Sequence, residues 1–243
     1  MRERLDTRLV ALGLTPSREK AQRFILAGSV LVNGQVAGKA SQTVDESATV
    51  TLQAAEKYVS RGGHKLEAAL IAFAVPCAGS VCVDLGASTG GFTDCLLQHG
   101  AARVHAVDVG RGQLDWKLRQ DPRVVIHDEC NARHLLPAVI GEPVDVLTVD
   151  VSFISLTKVL PAALALLKPG GFLVALIKPQ FEAGKKDVKK GGVVRDSAVH
   201  ERVKTEITKF ATETLGCRLV GLIESPLRGP AGNVEFLIGL RKP

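Results

Sequence analysis

Between residues 81 and 178 the chain passes through five short apolar runs: "VCVDL", "RVHAVD", "RVVIHD", "VDVLTVD" and "GFLVALIK". Segments of helical character, such as "LTKVLPAALALLK", separate most of them. Val/Ile/Leu runs without an alternating polar side belong to strands buried on both faces. Helical crossovers between such strands dictate a parallel sheet covered on both sides, an α/β fold. Ligands of these sheets sit beyond the carboxyl ends of the central strands. The first run leads into "GASTGG", where Gly86, Gly90 and Gly91 permit a tight turn and close backbone approach. Asp84, Asp108, Asp128, Asp150 and Lys178 close successive strands and line that same edge.

The ligand of the turn follows from charge. "GASTGG" is not G-x-G-x-x-G, and nothing else in the chain marks a pyrophosphate site. A carboxylate at Asp84, directly before the turn, repels a pyrophosphate and welcomes the ammonium of a methionine moiety. Asp108 follows the glycines by about twenty residues, a spacing suited to a ribose hydroxyl pair. The expected ligand is therefore S-adenosylmethionine, cationic at sulfur and free of phosphate, rather than a dinucleotide.

The first fifty residues read as a separate small α+β unit. Leu5, Leu9 and Leu12 fall at helical spacing, and Gly13 ends that helix. Thr15 and Ser17 offer caps for a second helix carrying Ala21, Phe24 and Ile25, stopped by Gly28. Arg4 and Arg8 are expected to share a face of the first helix. In "VLVNGQVAG" the Asn33-Gly34 pair between apolar runs signals a two-residue hairpin, and "ATVTL" adds a strand. Residues 1 to 39 hold seven Arg/Lys against three acids. Lys185, Lys186, Lys189 and Lys190 form a second basic cluster in a Gly-flanked loop. The expected division is a small unit over 1–52, a linker over 53–63 ending in a Gly62-Gly63 hinge, and a large unit over 64–243.

"SREKAQRFILAGSVLVNGQVAGKASQTV" resembles the S4-type RNA-binding domain, which docks a helical pair on structured RNA through basic side chains. That makes Arg4, Arg8, Arg18, Lys20 and Arg23 candidate RNA contacts, and the lysine loop a candidate clamp on phosphates. "DLGASTGGFTDCLLQHGA", "VHAVDVGRGQLDWKLRQDPRV", "TVDVSFISL", "ALIKPQFEAG" and "GGVVRD" resemble the TlyA family of ribosomal RNA 2'-O-methyltransferases. Members of that family are historically called hemolysin A proteins, and their catalytic domain is of the FtsJ type.

The resemblance implies a Rossmann-like class I methyltransferase sheet and a Lys-Asp-Lys-Glu catalytic set. Motif by motif, that set falls on Lys65, Asp150, Lys178 and Glu235. Lys178 is then the base and Lys65 orients the hydroxyl. Asp150 holds a lysine near the transferring methyl, and Glu235 positions Lys65 or the ribose. The implied cofactor set is Asp84, Gly86, Ser88, Thr89, Gly90, Gly91 and Phe92 around the methionine part, Asp108 at the ribose, and Asp128 with Asn131 at the adenine. The implied substrate is a cytidine of ribosomal RNA, in the 23S or also the 16S molecule, flipped toward the crevice.

Composition excludes other classes. Apolar residues make up 46% of the chain, enough for a packed core, yet no run of about 18 apolar residues reads as a membrane span. The N-terminus lacks the apolar core of a signal peptide. Five scattered cysteines suit a reducing cytoplasm. His127 and Cys130 have no second pair at ligand spacing, so no metal is expected. The expected state is a monomer acting on ribosomal RNA or a ribosomal subunit. The alternatives weighed are a non-catalytic RNA-binding assembly factor and, from the historical name, a membrane-lytic protein, for which no amphipathic lytic helix is present.

Overall fold

The computed structural model describes residues 2–53, 56–184, 186–188 and 191–243. They form two compact units that divide between Lys57 and Tyr58. The first unit begins with strand β1 (Arg2–Arg4) and helices α1 (Leu5–Ala11) and α2 (Arg18–Leu26). Strands β2 (Val30–Val32), β3 (Gln35–Val36), β4 (Thr43–Asp45) and β5 (Val50–Leu52) follow. Its core joins Leu5 and Leu9 of α1, Ala21 and Ile25 of α2, and Val30, Val44 and Val50 of the strands. Ser17 caps α2, accepting from the Lys20 amide at 3.3 Å. Asn33 and Gly34 take positive φ values of 50° and 79°, the turn that matches strand twist.

Three sequence expectations for this unit are corrected. Leu12 is 43% exposed and lies past the helix, so only Leu5 and Leu9 anchor α1. Arg4 belongs to β1, paired antiparallel with β4, and so does not share a helical face with Arg8. Thr15 is buried and caps nothing; its hydroxyl has no partner among the described residues.

The second unit opens with helix α3 (Gly62–Ala72). Then come β6 (Val81–Leu85), α4 (Gly91–Gln98), β7 (Arg103–Val107), α5 (Trp116–Arg119) and β8 (Val124–His127). The chain continues through α6 (Pro137–Ile140), β9 (Val144–Val149), α7 (Leu160–Leu166), β10 (Leu167–Ile177) and α8 (Pro179–Glu182). Helix α9 (Ser197–Lys209), β11 (Arg218–Glu224) and β12 (Phe236–Arg241) complete it. The seven strands are ordered β11-β12-β10-β9-β6-β7-β8. Strands β6 to β10 run parallel, whereas β12 runs antiparallel to both neighbours, so the sheet is mixed. Leu66, Leu70 and Leu96 pack on one face of this sheet, and Leu160, Leu164, Val203 and Ile207 on the other.

Residues 58 to 63 belong to this unit and not to a linker. Tyr58 is 2% exposed in the core, and a side chain at Gly63 would overlap its ring. Gly62 and Gly63 start α3 instead of forming a hinge between segments. Strand order reverses between β6 and β9, which places a crevice at their carboxyl ends.

Candidate active site

A cavity of about 710 Å³ opens at that crevice, within the usual size of a small-ligand site. Gly86, Ala87, Ser88, Thr89, Gly91 and Phe92 form one wall. Gly86 adopts φ +86°, and a Cβ there would strike the backbone of Asp150. Only glycine lets the turn after β6 pass this close to the end of β9.

Two lysine–carboxylate pairs face the cavity. Lys65, in the first turn of α3, donates to Glu235 Oε2 at 2.5 Å. Glu235 is 1% exposed and also accepts from Gln180 Nε2 at 3.3 Å. It sits just ahead of β12, where Gly229 must remain small to leave it room. Lys178, one residue past β10, lies 2.6 Å from Asp150 Oδ1 and donates to Ser152 Oγ at 2.9 Å. The Asp150 contact is a charge pair without hydrogen-bonding angles, and Asp150 Oδ1 and Gln180 Oε1 are buried acceptors with no donor among the described residues. Unspent buried acceptors on a cavity wall suit a ligand that carries hydroxyl or amine donors. All four residues of the expected catalytic set therefore line one cavity, as two pairs.

The cavity also shows residues the sequence reading missed: Ser152, Phe153, Gln180, Arg228 and Asn233. Phe153 is 90% exposed at φ +64°, a strained conformation for an aromatic residue, and its ring lies 5.0 Å from that of Phe181. Asn233 is 2% exposed; it accepts from the Val194 amide and donates to the Gly192 carbonyl, each at 2.9 Å, tying "GGVV" to the loop before β12.

The charge argument from sequence is corrected in part. Asp84 is wholly enclosed; its carboxylate accepts from Thr93 Oγ1 at 2.8 Å and Thr148 Oγ1 at 2.9 Å. Burial pushes its carboxyl up to about 7, against the opposing pull of those hydroxyls. Fully buried and absent from the cavity wall, it makes no direct contact with a ligand there. The cavity is lined by Asp150 and Glu235 against Arg61, Lys65, Lys178 and Arg228, so its wall is net basic rather than acid-rimmed. Asp108 occupies the Ser88 amide at 2.8 Å and the Gly110 amide at 2.7 Å, filling the turn with a fixed anion. Half-buried and at the end of β7, it keeps acceptor capacity for a ribose diol.

Asp128, Asn131, Asp108 and Gly90 lie outside the cavity wall. Asp128 accepts from the Gly112 amide at 3.1 Å, and exposed Asn131 spends its side-chain oxygen on the Arg133 amide at 3.0 Å. Gly90, at φ +96°, is filled against by Leu114 and Leu118. Among the described residues no His/Cys/Asp/Glu group could hold a metal, and no helix is long and apolar enough to cross a membrane.

In the first unit, Asp6 is fully buried and gathers Arg4 at 2.9 Å, Arg18 at 3.2 Å and Gln22 at 2.8 Å. The Arg4 guanidinium chiefly holds its carboxyl well below the usual range. Arg8 pairs with Glu3 and Arg23 with Glu19, so four of the five candidate arginine and lysine contacts carry an acid partner. Lys20 is exposed. Lys186 is also exposed, while Lys185, Lys189 and Lys190 lie outside the described residues.

Comparison with known proteins agrees with this architecture. Residues 58–242 match the FtsJ-like methyltransferase family, and residues 3–50 match the S4 domain. The 16S/23S rRNA (cytidine-2'-O)-methyltransferase TlyA of Mycobacterium tuberculosis is 48% identical over 242 residues, covering 99% of this chain and 90% of its own. Hemolysin A of Brachyspira hyodysenteriae is 43% identical over 236 residues, with coverage of 96% and 98%. A solved Streptococcus thermophilus structure, named as a hemolysin, superimposes with TM-score 0.76 at 44% identity, covering 99% of this chain and 88% of its own.

Proposed function

Because the chain belongs to the FtsJ-like methyltransferase family and carries an S4 domain ahead of the catalytic unit, we propose that it methylates the 2'-hydroxyl of a cytidine in ribosomal RNA, with S-adenosylmethionine as donor. The observation that carries this reading is the pair of lysine–carboxylate couples facing one cavity beside the glycine turn. The reaction needs a proton removed from a very weak acid and an oxygen held in line with a methyl group, which are problems of base catalysis and positioning.

Residues present fit the donor. The turn from Gly86 to Thr89 would hold its methionine part, with Asp108 for the ribose. When bound, S-adenosylmethionine supplies a methyl group on a positively charged sulfur. Lys178, as the amine, accepts the proton of the ribose hydroxyl, and Asp150 then stabilises the ammonium formed. Ser152 holds the Lys178 amine in place throughout. Lys65 orients the hydroxyl, and Glu235 with Gln180 fixes Lys65. The net basic wall favours an RNA backbone over a neutral metabolite. Exposed Phe153, set against Phe181 at the cavity wall, offers a ring on which the flipped base rests.

The test is incubation of the full chain with methyl-labelled S-adenosylmethionine and ribosomal RNA, followed by mapping of 2'-O-methyl groups. One protected cytidine is the expected result. Absence of label from every RNA fraction and both subunits would refute the assignment.

A further inference from the structure

Beyond the cavity, the segment after Asp108 holds a side chain that the proposed chemistry does not use. The amide of Asp115 donates to the carbonyl of Thr89 at 3.1 Å, which ties the start of α5 to the wall of the glycine turn. Leu114 and Leu118 are 6% and 5% exposed and fill the space left by the missing side chain of Gly90. With both leucines anchored inward, the residue midway between them points away from the core. That residue is Trp116, which is 70% exposed. Trp116 is not part of the cavity wall, but it follows Asp115, which is hydrogen-bonded to the turn lining that wall, and its large amphipathic ring offers a stacking face.

Charge around Trp116 identifies the class of ligand that this face fits. Arg111, Lys117 and Arg119 are exposed beside it in sequence. Arg119 makes only a distant contact with Asp128, at 3.8 Å, and no acid pairs with Arg111 or Lys117 among the described residues. The nearby carboxylates are engaged elsewhere: Asp115 accepts from the Lys117 amide at 2.9 Å, Asp128 from the Gly112 amide at 3.1 Å, and Asp121 pairs with Arg123. An exposed indole flanked by free cations, within one hydrogen bond of the turn that lines the cavity, matches the stacking platform of single-stranded nucleic acid.

We propose that Trp116, with Arg111 and Lys117, stacks an unpaired base of the substrate RNA neighbouring the target nucleotide. This rests on the reading of the chain as an RNA methyltransferase. The platform holds the strand on the far side of the glycine turn from Phe153's wall and thereby keeps the target from sliding. Its contribution is to binding, not to the transfer step.

Trp116 is the single tryptophan of the chain, so its fluorescence reports this site alone. The full chain is titrated with protein-free ribosomal RNA and, separately, with S-adenosylhomocysteine. RNA is expected to shift the emission and shield it from acrylamide, while S-adenosylhomocysteine leaves it unchanged. Trp116→Ala weakens RNA affinity roughly 5- to 150-fold, the range for one base–aromatic stack, and Trp116→Phe restores most of it. Calorimetric affinity for S-adenosylhomocysteine stays the same in both variants, which also shows that they fold. An emission change produced fully by S-adenosylhomocysteine alone would assign the indole to the adenosine and overturn the proposal. So would a Trp116→Ala variant that binds RNA as wild type does. If wild type itself neither binds nor methylates ribosomal RNA, the underlying function fails as well; if it does both while Trp116 stays silent, only the platform fails.

Discussion

Lys178 and Lys65 are both paired lysines on one cavity wall, yet their surroundings give them different consequences. The Asp150–Lys178 pair keeps contact with solvent, with side chains 23% and 12% exposed, whereas Glu235 is 1% exposed. Removing Lys178 leaves a carboxylate that water can reach. Lys178→Ala is therefore expected to fold normally and to lose methyl transfer by about 10²- to 10⁴-fold, the range for a positioned base. Lys178→Arg should not restore it, because a guanidinium cannot take the proton. Lys65→Ala strands Glu235 in the interior, at a cost of about 3–5 kcal/mol. Its expected signature is lost activity together with a lowered melting temperature, which Lys178→Ala does not show. Thermal melts and initial rates on both variants check this contrast. At this scale Asp150 and Lys178 were legible as charged residues ending apolar runs, whereas Lys65, in the first turn of α3, and Glu235, just ahead of β12, were singled out only by the family resemblance. Asp84 was misread for a physical reason: sequence shows a carboxylate at a strand end, but not the two threonine hydroxyls, from Thr93 and Thr148, that enclose it. The buried Asp6 hub was hidden similarly, since two of its partners, Arg18 and Gln22, lie 12 and 16 positions away in the chain.

Glycines decide how the elements close on one another. A side chain at Gly63 would run into the Tyr58 ring, and one at Gly91 would meet Ser60 and the Gly63 backbone. The start of α3 thus packs on the start of α4 with no room for a methyl group. Gly63→Ala is expected to destabilise the large unit by about 1–3 kcal/mol, the usual cost of overpacking. For a unit of this size that lowers the melting temperature by about 2–4 °C per kcal/mol. A hinge glycine at this position would instead tolerate alanine with no change in melting, which calorimetric scans would reveal. The parallel strands were readable because their apolar runs are short, bounded and free of alternation. The antiparallel placement of β12 was not, because its direction is set by an eleven-residue loop, 225–235, whose path depends on the buried Glu235 and Asn233. Turn chemistry was legible at Asn33-Gly34, where the residue types demand the backbone; Gly62-Gly63 has no such demand, and packing alone explains it.

The two units carry buried acids whose pKa values are displaced in opposite directions, so the whole chain should answer to pH from both sides. An unfolded aspartate titrates near about 3.9. Asp84 in the large unit is raised to about 7 by burial. Between those values the native unit holds a proton that the unfolded chain has released, so its stability falls as pH rises, and the loss is complete above about pH 7. Its size is at most about 4 kcal/mol. Asp6 in the small unit is depressed, chiefly by Arg4. Its contribution is full above the unfolded pKa and disappears as acid protonates it, below about pH 4. Asp84→Asn keeps a neutral polar group between Thr93 and Thr148 and removes the first effect alone. Melting of wild type and Asp84→Asn from pH 5 to 8 should show curves that diverge, the variant gaining relative stability toward pH 8, whereas Asp6→Asn should lose stability most at neutral pH and least in acid. Parallel curves for wild type and Asp84→Asn would mean that Asp84 is ionised in the folded protein at all these pH values, and that the threonine pair solvates a charge instead of sheltering a neutral acid.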